Sequence, residues 1–134
     1  MSAIVDWDAL RAAALAVAEK AYAPYSKFHV GAAVLSGDGR VFLGCNVENA
    51  SYGLSVCAER NAIGATVVAG ARPVAVAVVA PLVGCPPCGA CRQVLAEFGL
   101  EVTIILTSDN APGYVVTTSG ALLPGAFTEE SLRS

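Results

Sequence analysis

Two cysteine motifs constrain this chain more than any other feature: Cys57-Ala-Glu59, and Pro87-Cys88-Gly-Ala-Cys91. Each opens a run of helix length, and each follows a β-prone stretch read here as a buried strand. In a parallel sheet the C-terminal strand ends and the helix N-termini meet on one edge. Such a fold brings three thiols and one carboxylate, distant in sequence, to one place.

The rest of the chain agrees with that architecture. Asp6 reads as a helix N-cap, and Leu10, Ala13, Ala14, Val17, Ala18 and Ala21 recur at helical spacing until Pro24 stops the run. Residues 28–35 and 40–46 are β-prone and flank Asp38-Gly39, which supplies the turn chemistry of a hairpin. A polar loop over 48–55 precedes a helix over 57–69. Residues 73–80 are a continuous Val/Ala run, suited to a strand buried on both faces, with 81–87 as its exit loop. A helix over 89–98, a strand over 101–107 and a short strand over 114–118 complete the order. Alternating strands and helices with right-handed crossovers make the central strands parallel. The expectation is an α/β fold with a mixed central sheet of about five strands covered by helices. With 134 residues and no linker or internal repeat, residues 1–134 read as one domain.

Two cysteines three apart on the first turn of a helix can aim both sulfurs at one ion, and zinc favours tetrahedral thiolate coordination. Cys57, Cys88 and Cys91 supply three ligands and leave a fourth position for water, the arrangement of a catalytic zinc. Cys85 is the candidate to close the site, and Pro86-Pro87 should hold it away. Glu59 cannot readily share Cys57's coordination point but can reach a water on the metal, where a carboxylate shuttles protons. Nucleobase deaminases use this pattern: hydroxide formed on zinc attacks the ring carbon bearing the amine, while the glutamate moves the protons. Three thiolates on a divalent ion leave a charge of −1. Two helix N-termini, with hydrogen bonds from Arg60 and Arg92 to sulfur, are expected to offset it.

Composition removes other classes. Eight Lys plus Arg are scattered, and the net charge is −3, so no basic cluster meets a run of phosphates or an anionic membrane. No segment approaches the roughly eighteen apolar residues of a membrane span, and residues 1–7 lack a signal-peptide pattern; the expected location is the cytoplasm. The five cysteines are an odd number, which argues against a disulfide framework. Hydrophobic residues make up 55% and charged residues 14%, against roughly 25% charged in an average domain. Such a surface suits burial against copies of the same chain.

Four motifs, in order, make the chain resemble the cytidine deaminases, specifically their short, three-cysteine, homotetrameric branch. They are Tyr25-Ser-x-Phe28-x-Val-Gly-Ala-Ala33, Gly44-Cys-Asn46-Val-Glu48-Asn-Ala-Ser-Tyr52-Gly53, Cys57-Ala-Glu59-Arg60 and Pro87-Cys88-Gly-Ala-Cys91-Arg92-Gln93. The resemblance runs from about Tyr22 to Phe127 and implies a three-layer αβα fold with one Zn2+ per subunit. It implies hydrolysis of cytidine and deoxycytidine to uridine and deoxyuridine, as in pyrimidine salvage. Phe28, Asn46, Glu48 and Ala58 then bind substrate, with Asn46 and Glu48 on a ribose hydroxyl. Ala50, Tyr52 and Phe127 reach the site of a neighbouring subunit, Phe127 stacking on the pyrimidine. A carboxylate accepts from a sugar hydroxyl but repels a phosphate, so Glu48 favours a free nucleoside over a nucleotide or nucleic acid.

Blander readings stand beside these. Cys45, on an apolar strand, reads as a small buried hydrophobe, and His29 is given no role. Phe28, Phe127, Tyr25 and Tyr52 are by default packing aromatics, and Asn46 and Glu48 alone would pass as loop caps. Gln93 is a candidate to orient the ligand loop. A structural zinc module closed by a fourth ligand is the non-enzymatic alternative. A dithiol redox enzyme is another, although it needs neither a third cysteine nor Glu59.

Overall fold

The computed structural model describes residues 5–81, 87–108 and 114–132. Asp6 caps the first helix as expected, its carboxylate accepting the Ala9 N–H at 3.0 Å, and α1 spans Trp7–Ala18. The helix stops short of Pro24 because the chain is claimed elsewhere. Tyr22 N–H donates to the Asn46 carbonyl and Glu48 N–H to the Tyr22 carbonyl, an extended pairing incompatible with another helical turn.

The hairpin follows as β1 (Gly31–Ser36) and β2 (Val41–Cys45), turning through Gly39 at φ 88°, where a glycine is favoured. The expected strand start at Phe28 is not seen. There the Asn46 carboxamide replaces the ladder, donating to the Phe28 carbonyl at 2.8 Å and accepting the Val30 N–H at 2.9 Å. A short 3₁₀ turn at Tyr52–Leu54 leads to α2 (Ala58–Val68), then β3 (Pro73–Ala80), α3 (Gly89–Glu97), β4 (Thr103–Ser108) and β5 (Val115–Thr118). Two short helices end the described chain, α4 (Ser119–Leu122) and α5 (Glu129–Leu132).

The five-stranded sheet has the order β2-β1-β3-β4-β5, with β3 and β4 parallel and the other neighbours antiparallel. One expectation fails here. β2 is an edge strand, largely half-buried or exposed, so only the second cysteine motif follows a strand buried along nearly its whole length, Val74 excepted. Successive strand residues face opposite sides of the sheet and so divide the core into two layers. Ala32, Val34, Val76, Val78, Ile104 and Leu106 pack with Ala62 and Ile63 of α2 and Leu95 of α3. Ala33, Ala77, Val79 and Ile105 pack on the other face against Leu10 and Ala14 of α1. The result is the expected three-layer α/β/α arrangement.

Candidate active and metal site

Helix starts place the three thiols. Cys57 is extended (φ −71°, ψ 156°) and N-caps α2 without a side-chain capping bond, which leaves its sulfur free of the helix. Cys88 caps α3 in the same conformation, its sulfur accepting the Cys91 N–H at 3.5 Å, and Cys91 sits one turn on. The sulfurs of Cys57 and Cys88 are 3.5 Å apart and those of Cys88 and Cys91 3.3 Å, all three within 4.8 Å of one another. A tetrahedral ion with Zn–S bonds of about 2.3 Å spaces its sulfurs about 3.8 Å apart. The two shorter separations lie within about 0.5 Å of that spacing, so the donor set fits zinc, with the N-termini of α2 and α3 at the cluster.

Hydrogen bonding within the cluster favours the thiolate form of Cys57. The Cys57 thiol is lowered to about 5, first by a hydrogen bond from Cys91 and then by Arg60, against the opposing effect of burial. Cys91 is pushed up, because it donates to Cys57 and is buried. A cation entering the cluster displaces the protons that the remaining thiols hold. Arg60 donates from Nη2 to the Cys57 sulfur at 3.7 Å and to the Ser55 carbonyl at 3.4 Å. Among the described residues Arg92 does not meet a sulfur. Its planar fork is taken by two carbonyls, Pro87 at 2.9 Å and Leu122 at 2.8 Å, and this corrects the expectation drawn from its place beside Cys91.

Glu59 lies in the first turn of α2, only 5% exposed. Burial raises its pKa, and the charge on Cys57 pushes the same way, so the protonated form gains. Glu59 and Ala58 line a cavity of about 500 Å³, together with Cys57 and Cys88. Val78 and Ala80 of β3 also line it, as do Phe28, Asn46 and Glu48. That volume lies in the range of small-molecule sites, and the wall is mostly apolar with a few directed polar groups. Glu48 is held as an anion. Its Oε1 accepts the N–H groups of Tyr25 at 3.0 Å and Ser26 at 3.1 Å, its Oε2 accepts the Ser26 hydroxyl, and these bonds lower its pKa, the hydroxyl most.

Three expected site residues lie apart from this cavity. Ala50 is exposed, Tyr52 is 83% exposed and Phe127 58%. Gln93 donates to the Phe127 carbonyl at 2.8 Å, which ties α3 to the C-terminal segment. Cys45 is half-buried on β2 outside the sulfur cluster, His29 is exposed, and Cys85 lies outside the described residues. Ser26 and Val30 line the cavity without having been assigned a role from sequence. The Tyr25-Ser-x-Phe28 motif contained Ser26, but no local spacing signals a bond to a carboxylate 22 positions away.

Three converging thiols beside a buried carboxyl, in a cavity of nucleoside size on an α/β/α scaffold, define a zinc hydrolase of the nucleobase-deaminase class. Residues 6–107 match the family described as the cytidine and deoxycytidylate deaminase zinc-binding region, and the chain belongs to that family. It is 52% identical over 133 residues to a cytidine deaminase of Mycobacterium tuberculosis, spanning 96% of this chain and 94% of the relative. It is 51% identical over 118 residues to one of Sporosarcina psychrophila, spanning 85% of each. The crystal structure of cytidine deaminase from Burkholderia pseudomallei superposes with a TM-score of 0.86 at 51% identity, covering 92% of this chain and all of that one.

Proposed function

We infer that this chain catalyses the zinc-dependent hydrolytic deamination of cytidine and deoxycytidine to uridine and deoxyuridine. The carrying observation is the sulfur cluster of Cys57, Cys88 and Cys91 beside buried Glu59, bordering a cavity that Glu48 also lines. Zinc held by the three cysteines supplies a Lewis acid and an open position at which water becomes more acidic. Glu59 would take one proton of the attacking water and pass it to the pyrimidine ring nitrogen N3, then take the second from the hydroxyl now on C4 and give it to the amine as it leaves. A C–O bond replaces the C–N bond, and ammonia departs. The raised pKa of Glu59 suits a group that must hold a proton between two transfers.

Arg60 keeps negative charge on Cys57 tolerable, Ala58 and Phe28 shape the base-binding wall, and Asn46 and Glu48 receive the sugar. Ala50, Tyr52 and Phe127 complete the site of a neighbouring subunit in a homotetramer. The exposure of both aromatic rings and the low charge of the surface support that reading. The whole length, 1–134, acts as one deaminase domain in pyrimidine salvage, in the cytoplasm, without nucleic-acid or membrane partners. No described helix is long and apolar enough to cross a membrane.

The test is ammonia release by the zinc-replete protein from cytidine, deoxycytidine, dCMP, adenosine and blasticidin S. Activity confined to the two cytosine nucleosides is expected. Turnover chiefly of dCMP, adenosine or blasticidin S overturns the substrate assignment, and no turnover of any of the five overturns the enzymatic reading.

A further inference from the structure

The turn before β1 is built around a single hydroxyl. Ser26 Oγ donates to Glu48 Oε2 and accepts the Phe28 N–H at 3.0 Å, while the backbone N–H groups of Tyr25 and Ser26 both reach Glu48 Oε1. Ser26 thus touches one group on the sugar side of the cavity and fixes the backbone of the aromatic beside it. Lys27, between them, sits at φ 61°, a left-handed conformation that a residue with a side chain seldom adopts. Such a conformation persists where the surroundings over-determine it. Here the bonds on both sides of Lys27 do so.

A serine hydroxyl accepting an N–H two residues on is a common local turn. The donation across 22 positions to a carboxylate in the cavity wall is not part of such a turn. An ionised carboxylate offers about four acceptor positions. The turn occupies three of them, so the direction of the remaining one is set by how the turn holds the carboxylate. Without the hydroxyl, Glu48 Oε2 loses its anchor and the side chain can rotate about its remaining contacts on Oε1.

We propose that Ser26 is a positioning residue for nucleoside binding: its hydroxyl orients the one free acceptor of Glu48 toward the substrate sugar and holds Phe28 against the base. This rests on the reading of Glu48 as the sugar's acceptor. Ser26 takes no part in proton transfer, so its loss acts on binding. The metal cluster and Glu59 do not touch it.

Steady-state kinetics on cytidine test this, with zinc content and thermal midpoint measured for each variant. Ser26→Ala is expected to raise KM about tenfold, the scale of one hydrogen bond to a charged group, with kcat within about threefold and zinc unchanged. Ser26→Thr restores the parent KM, whereas Ser26→Val, of the same shape without the hydroxyl, does not. In a Glu48→Ala background, Ser26→Ala adds less than it does alone, because the part of its effect that passes through Glu48 is already lost and only the hold on Phe28 remains. An unchanged KM for Ser26→Ala overturns the proposal, and so does a joint loss of kcat and zinc, which marks a merely structural residue. If Glu48→Ala raises KM while Ser26→Ala is silent, the proposal alone falls. If Glu48→Ala is itself silent, the sugar assignment beneath it falls.

Discussion

Glu59 shows how much one side chain's setting decides. An exposed glutamate at a helix start would be an ordinary favourable charge near the positive end of the dipole. Glu59 is in the first turn of α2, yet it is buried and faces the cavity, and burial raises its pKa. Glu59→Gln keeps the size and burial but cannot exchange a proton. Zinc content is expected to match the parent, because Cys57, Cys88 and Cys91 are untouched, while turnover falls about 10²–10⁴-fold. Metal analysis beside ammonia release checks both halves; parental activity would remove Glu59 from the mechanism. The metal centre was readable in sequence because each half is local: Cys88 and Cys91 share one helical turn, and Glu59 lies two residues from Cys57. The bonds that Arg92, Gln93 and Ser26 make are not legible in sequence, because their partners lie 30, 34 and 22 positions away, beyond any periodicity.

Elements set the site through two close approaches of helix to sheet. A Cβ on Gly31 would lie 2.0 Å from the Ala14 carbonyl oxygen of α1, and one on Gly44 would lie 2.4 Å from both the Ala58 carbonyl oxygen and the Ala62 nitrogen of α2. Both contacts are with backbone, so no rotamer change relieves them. α2 carries Cys57 at its cap and Glu59 in its first turn, and Asn61 ties it to the Cys45 carbonyl at 2.8 Å. Gly44→Ala therefore pushes α2 away at the end that matters. It is expected to cost about 1–3 kcal/mol of stability and to lower zinc retention against a chelator. Gly31→Ala destabilises through α1 and leaves zinc retention closer to the parent. Calorimetry with chelator competition separates the two; equal zinc loss in both variants would mean that general loosening, not α2 placement, governs the site. Element order was legible from the β-branched runs and cysteine helices. The end of α1 and the start of β1 were not, because the Tyr22 pairing and the Asn46 side chain take over backbone groups that propensity assigns to helix and strand.

At the scale of the whole molecule, the described chain leaves large apolar side chains in water: Tyr52 at 83% exposure, Leu54 at 66%, Val68 at 90% and Phe127 at 58%. Phe127 does not line its own chain's cavity, and its backbone is tethered to Gln93 of α3. If it stacks on the pyrimidine, it does so in a neighbour, and that dependence can be measured by mixing. A Phe127→Ala protomer keeps Glu59 but lacks the ring to give, while a Glu59→Gln protomer gives the ring but cannot turn over. Each homo-oligomer is expected to be poorly active. Dissociated, mixed and reassembled, the two form sites in which an intact Glu59 meets a neighbour's Phe127, and activity should rise well above the mean of the separate preparations. The gain should scale with the fraction of mixed assemblies seen by native mass spectrometry. Recovery is impossible if Phe127 serves its own chain, because no mixed site would then hold both groups; flat activity across mixing ratios, with mixed assemblies present, would refute the shared site.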